Sequence, residues 1–239
     1  MCIRDSSYGA LLAAPFIAVF LLLSFWKNST ENYYSEIMKN DLTEGRMAFE
    51  KQLDIMCAGA FSVSNDSDLK WVYFLDGLKD GDNNIAALIR CNDMLRQTFA
   101  DSEHYQNYSV IMKNELIFRK SGMVVGDKFF YDNYCTYQNT DFETWRKQSF
   151  ESNTWQLFPL EEIDTGERTF QAMTFSYPVR NYIQQEPEAN AVVQFLLSKE
   201  NLEQMFGQLL SRQGGILIYD AEDRLLAVSY THLTLPTIL

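Results

Sequence analysis

The chain has 239 residues, 46% hydrophobic and 14% aromatic, with 20 Lys and Arg against 32 Asp and Glu for a formal charge of −12. That hydrophobic content excludes a disordered segment, and the negative sign argues against a surface that neutralises phosphates, so no nucleic-acid contact is expected. Four cysteines, Cys2, Cys57, Cys91 and Cys135, form no CxxC and no Cys/His cluster at ligand spacing, so no metal site is expected.

Residues 1–6 and 229–239 resemble translated adapter sequence and are read as artefactual, with the native stretch cut at both ends. No charge occurs from Ser6 to Trp26, and residues 7–26 have about the length that crosses hydrocarbon as a helix. The run closes on Ser24, Phe25, Trp26 and Lys27 without a small-x-small cleavage pattern, which favours a membrane anchor over a cleaved signal peptide. The acidic, weakly basic chain beyond Trp26 places its bulk outside the cytoplasm, as a single-pass protein of the cell membrane.

Residues 27–104 read as a long helix followed by a further helical segment. From Glu31 to Val63 there is no proline, and Tyr34, Met38, Leu42, Gly45, Phe49, Leu53, Met56 and Ala60 recur at spacings of three and four. Such a stripe packs on its own domain or on a second copy, and a homodimer through this helix is expected. Asp76, Asp80 and Asp82 fall in a break, but no Glu stands at the twelfth position counted from Asp76 or Asp80, so calcium is not expected. Asp82 or Asn83 caps the next helix, where Ile85, Leu88, Ile89, Met94 or Leu95, and Phe99 keep helical spacing.

From Tyr108 the period changes to short strands, Tyr108–Met112, Leu116–Arg119 and Met123–Val125, broken by polar turns. Thr140 to Glu143 is a capping box that opens a short helix through Trp145 and Phe150. Two longer strands follow, Phe170 to Tyr177 and Ala191 to Leu197, then a helix capped by Ser198 that carries Leu202, Met205, Phe206 and Leu209. Apolar strands on either side of Asp220 to Asp223 form a last hairpin. The order predicts an α+β fold: a long N-terminal helix, transmembrane and then extracytoplasmic, followed by an antiparallel sheet with flanking helices.

The hairpin from Gly215 to Ala227, with its acidic turn, and the looser pattern from Val110 to Phe118 before Ser121 and Gly122, resemble the extracytoplasmic Cache sensor family of PAS-like domains. The resemblance implies a double-Cache layout, with a membrane-distal module at 105–212 and the start of a truncated membrane-proximal module at 213–228. Asp141 to Trp145, after an aromatic-rich stretch, is similar to the sensor regions of membrane-bound AraC-type transcription regulators of Firmicutes. The implied function is ligand sensing for signal transduction, with the output domain missing: an AraC-type DNA-binding domain, a histidine kinase, a chemoreceptor or a nucleotide cyclase.

Catalysis is not expected. His104 is the one histidine outside the terminal stretches, and no Walker-type loop, GxGxxG or HExxH occurs. Adjacent acids such as Glu161 and Glu162 read as solvated loop residues. Small-ligand sites are lined by aromatics with a few placed polar groups. The candidates for a small-molecule or peptide ligand are therefore Tyr131, Tyr134, Trp145, Arg146, Trp155, Phe158, Phe175 and Tyr177, with no cofactor implied. On the strand, Met173, Phe175 and Tyr177 share one face and Ala172, Thr174 and Ser176 the other. Arg119, Arg146 and Arg180 are nearby cations able to clamp a carboxylate. The alternative reading is a cell-surface adhesion or scaffold domain without a small ligand.

Overall fold

A computed structural model describes residues 3–72, 81–100, 107–180, 189–211 and 215–230, without the side chains of 3–14, 68, 71, 81–84, 100 and 230. The first element, α1 (Ile3–Asn65), runs unbroken for 63 residues and contains Pro15. At 1.5 Å per residue it is about 95 Å long. Its described apolar start is exposed on every side, with Phe16 at 75% and Trp26 at 70%. Among the described residues no helix is long and apolar enough to cross a membrane; the side chains of residues 7–14, part of the expected anchor, lie outside that description.

The heptad-like stripe divides at Gly45. Beyond it, Phe49, Leu53, Met56, Ala60 and Val63 pack into the main core. Before it, Tyr34, Met38 and Leu42 face solvent. Asp66 then accepts from the Leu69 backbone N–H at 2.9 Å, opening α2 (Ser67–Val72). The acidic break at Asp76 and Asp80, the Asp82 or Asn83 cap and His104 fall outside the described residues or side chains. Helix α3 (Gly81–Ala100) buries Ala87, Leu88, Cys91, Leu95 and Phe99. Ile85 and Ile89, expected on its apolar face, are exposed, so the buried stripe is rotated from the one predicted.

The sheet begins with β1 (Tyr108–Met112), β2 (Leu116–Arg119) and β3 (Gly122–Val125). After α4 (Asp127–Tyr134) come β4 (Thr136–Tyr137) and α5 (Phe142–Glu151). Asp141 is the N-cap of α5 and accepts from the Thr144 N–H at 2.8 Å. Thr140, the expected cap, instead donates its hydroxyl to Glu161. Three long strands follow, β5 (Gln156–Asp164), β6 (Thr169–Val179) and β7 (Ala191–Ser198). Glu161 and Glu162 thus lie on a strand, not a loop. Pro159 and the register shift between Phe158 and Glu161 break the alternation that would have marked it. Pro178 sits within β6 beyond Ser176, where pairing with β5 has ended, a local edge that tolerates a missing donor.

The seven strands are ordered β3-β2-β1-β7-β6-β5-β4, and every pair is antiparallel. The fold is α+β, as expected. Val110, Phe118, Met173, Phe175, Val193 and Phe195 turn one face toward α1, α2 and α3. Each fully buried Phe there contributes about 1.5–3 kcal/mol relative to exposure. Ile111, Ile117, Ile163, Ala172 and Val192 turn the other face toward α4 and α5.

Ser198 accepts from Asn201 N–H and opens α6 (Lys199–Met205), which breaks at Phe206 before α7 (Gly207–Ser211). The single helix expected there is therefore two. The closing hairpin of β8 (Gly215–Tyr219) and β9 (Leu225–Tyr230) forms a separate two-stranded sheet, its turn held by Asp220 accepting from the N–H groups of Glu222 and Arg224. Ile216 packs with Phe206, Leu209 and Leu210 over Phe49 of α1.

Candidate functional site

Residues directly opposite in an antiparallel pair project to the same face. Register places Arg119 opposite Ser109, Ser109 opposite Gln194, Gln194 opposite Ser176, and Ser176 opposite Gln156. A polar row therefore crosses β2, β1, β7, β6 and β5 on the face that α4 and α5 cover. Ser109, Ser176 and Gln194 in this row are buried, Gln194 to 1% exposure. Burying such groups is costly unless each is hydrogen-bonded.

The row is only partly satisfied. Gln194 Nε2 donates to Ser149 Oγ at 2.9 Å, and Ser149 Oγ donates to the Trp145 carbonyl at 2.7 Å. Gln194 Oε1 and the indole Nε1 of Trp145, itself 3% exposed, have no hydrogen-bond partner among the described residues. An orphaned buried group costs about 1–3 kcal/mol. Among the described residues, one acceptor and one donor thus stand unpaired at the interface of the sheet and α5.

The two covering helices are fastened to each other. Asp127 of α4 and Arg146 of α5 form an ion pair, and the Arg146 guanidinium lies 5.5 Å from the Phe150 ring. Tyr131 stacks with Tyr137, meets Phe142 and Trp145 with ring centroids 5.7 and 5.4 Å apart, and donates its hydroxyl to the Thr140 carbonyl. Tyr137 shares a 2.9 Å hydroxyl contact with Thr174 on β6. Burial pushes the Tyr137 phenol well above its ordinary value and the Cys135 thiol up to about 12. Both remain protonated at neutral pH, so Cys135 offers a weak donor and no thiolate nucleophile.

Two clefts open on this face. The smaller, about 220 Å³, is walled by Tyr137, Trp145 and Phe158, with Thr140, Ser149 and Glu161 supplying polar groups. The larger, about 400 Å³, lies between the sheet and α4, with Ser109, Arg119 and Leu196 as its floor, Phe130 and Tyr134 as a wall, and Arg168 from the β5–β6 turn at its rim. Arg119 lies 4.1 Å from the Tyr134 ring centroid and donates to Glu167 at 3.2 Å.

The sheet separates the aromatic and basic candidates into two sets. Tyr131, Tyr134, Trp145 and Arg146 come together around α4 and α5, and Phe158 joins Trp145 in the smaller cleft. Phe175 and Tyr177 belong to the opposite face, where Trp155 stacks on Phe175 with centroids 5.7 Å apart. Ser109, Ser176 and Gln194 were not among the sequence candidates. The signal was the isolated polar residue in an otherwise apolar strand, Gln194 within Ala191–Leu197 and Ser109 within Tyr108–Met112.

No family model matches the chain, and no curated protein matches it. Among solved structures, the periplasmic domain of Vibrio cholerae LuxQ is similar over 80% of this chain and 77% of its own, with 9% identity and a TM-score of 0.44. The sensory domain of the Campylobacter jejuni chemoreceptor Tlp3, with isoleucine bound, is similar over 77% of this chain and 74% of its own, with 15% identity and a TM-score of 0.39. Both scores fall below one half.

Proposed function

We propose that the chain is the extracytoplasmic ligand-sensing region of a membrane-anchored signalling protein, with its ligand bound on the sheet face covered by α4 and α5. The observation that carries this reading is the buried polar row with an acceptor, Gln194 Oε1, and a donor, Trp145 Nε1, unpaired among the described residues beside a cleft. Groups left unsatisfied in an apolar interior are free-energy costs that a bound polar molecule removes.

The anchor is the apolar start of α1. From Phe16 to Trp26 large apolar side chains project all around the helix, a pattern suited to an apolar surrounding and not to water. Tyr34, Met38 and Leu42 on the next turns form the surface for self-association, and α1 carries the response from the sheet toward the membrane. An AraC-type regulator is the finer reading of the output.

Thermal melting of the full chain in detergent, screened against amino acids, short carboxylates, sugars and peptides, tests the reading. A ligand specific to the folded state raises the melting temperature by mass action, and Gln194→Leu removes the rise. A cooperative melt that no compound moves would sink the sensor reading in favour of an adhesion domain.

A further inference from the structure

Resting on that sensing reading, we propose that the larger cleft binds a small carboxylate, with Arg119 as the residue that grips it. The three arginines around this face have different engagements. Arg146 is paired with Asp127, whose side chain is mostly buried, and Arg180 donates to the Ser152 carbonyl at 2.8 Å. Arg119 is different: its side chain is only 15% exposed, while the carboxylate it meets, Glu167, is 74% exposed on the β5–β6 turn.

A largely desolvated guanidinium is thus satisfied by a side chain that solvation draws outward. Guanidinium and carboxylate match as two parallel donors and two acceptors, so Glu167 holds the place that a ligand carboxylate takes. The turn itself is fixed. Gly166 has φ +74°, and a Cβ there would lie 2.3 Å from the Asn133 carbonyl oxygen at the end of α4. Exchange of Glu167 for a ligand therefore requires a side-chain rotation and no movement of the backbone.

Charge and shape agree with this occupant. Although the whole chain carries −12, among the described residues the cleft is lined by Arg119, Lys120 and Arg168 against the single carboxylate of Glu167. Its volume of about 400 Å³ lies at the small end of ligand sites. Phe130, Tyr134 and Leu196 give an apolar surface for a short hydrocarbon body, and the Arg119 guanidinium already lies over the Tyr134 ring in advance of binding.

The test is thermal melting and equilibrium titration of the full chain in detergent with propionate and succinate. Propionamide serves as the neutral isostere, propylamine as the cation and inorganic phosphate as the other oxyanion. Propionate or succinate is expected to raise the melting temperature saturably, and propionamide is not. Arg119→Gln is expected to weaken binding about tenfold or more, and Glu167→Gln, which removes the internal competitor, to tighten it about threefold or more. If Arg119→Gln does not fold, the exposed Glu167→Gln decides alone.

Equal effects of propionate and propionamide, a response to phosphate only, or unchanged or weaker carboxylate binding in Glu167→Gln would each overturn the assignment. A neutral or cationic compound whose effect needs Gln194 and not Arg119 overturns the carboxylate and leaves the sensing reading standing. Failure of every compound here, on wild type and Glu167→Gln alike, overturns the carboxylate assignment; the sensing reading falls with it only if the amino acids, sugars and peptides also leave the melt unmoved.

Discussion

The backbone of Gly45 on α1 lies against the ring of Phe206, so closely that a Cβ at position 45 would stand 2.2 Å from Phe206 Cδ1. Phe206 is itself buried, at the junction of α6 and α7. The ring packs with Leu209, Leu210 and Ile216. Gly45→Ala is expected to destabilise by up to about 2 kcal/mol, because overpacking of about 1–3 kcal/mol is offset by the roughly 1 kcal/mol gained in helix propensity. Urea unfolding of Gly45→Ala, Phe206→Leu and the double variant checks it: the double should be more stable than the sum of the two losses.

Gln194→Leu is expected to leave stability unchanged or to raise it by up to about 1 kcal/mol. The change deletes an acceptor that has no partner among the described residues, which offsets the loss of the 2.9 Å bond from Gln194 Nε2 to Ser149 Oγ, and Ser149 keeps its hydrogen bond to the Trp145 carbonyl. A urea midpoint above that of wild type fits a residue retained for binding; a loss of 2 kcal/mol or more, on the order of a core hydrogen-bond network, identifies a structural one.

The Asp127–Arg146 pair should reveal itself by asymmetry. With Asp127 mostly buried and Arg146 about a third exposed, Arg146→Met strands a carboxylate and is expected to cost about 1–2 kcal/mol, less than a fully buried pair. Adding Asp127→Asn is expected to recover part of that loss, read by denaturant unfolding of the three variants.

The Cys135 thiol gives an alkaline signature. Its folded value is raised by burial from 9.0 to about 12, so its stabilising contribution is complete below pH 9 and is lost as pH rises toward 12. Wild type is expected to lose about 1–2 kcal/mol more than Cys135→Ala between pH 8 and pH 10.5. Unfolding curves that stay parallel over this range would count against the burial-driven shift.

Met38→Glu and Leu42→Glu test the upper stripe of α1. Both side chains are exposed, at 42% and 49%, so the melting temperature of the dissociated chain should not fall. Chemical cross-linking or light scattering is expected to show loss of self-association, and an unchanged size would place any association elsewhere.

Much of the fold was legible because strong periodicity survives burial. Tyr108–Met112, Leu116–Arg119 and Ala191–Leu197 fell within one residue of their strands, and Ser198 capped its helix. What escaped had opposing signals. Strand β5 carries Pro159, a bulge and two exposed acids, so its alternation is broken where it would be read. Helix α4 is only eight residues long and rich in aromatics, a composition shared with strands. The candidate site was half visible: aromatics drew attention to α4 and α5, but the polar row depends on inter-strand register, which no single segment encodes. Phe175 and Tyr177 were gathered with Trp145 by their chemistry, though the strand alternation already assigned Phe175 and Ser176 to opposite faces.

That alternation has a consequence for how the molecule can change. Val110, Phe175 and Val193 seat α1, while Ser109, Ser176 and Gln194, their immediate neighbours in the chain, look the other way. The two sides share a wall one residue thick. Substitutions at alternate positions can reshape the side under α4 and α5 while the residues that seat the long helix stay as they were.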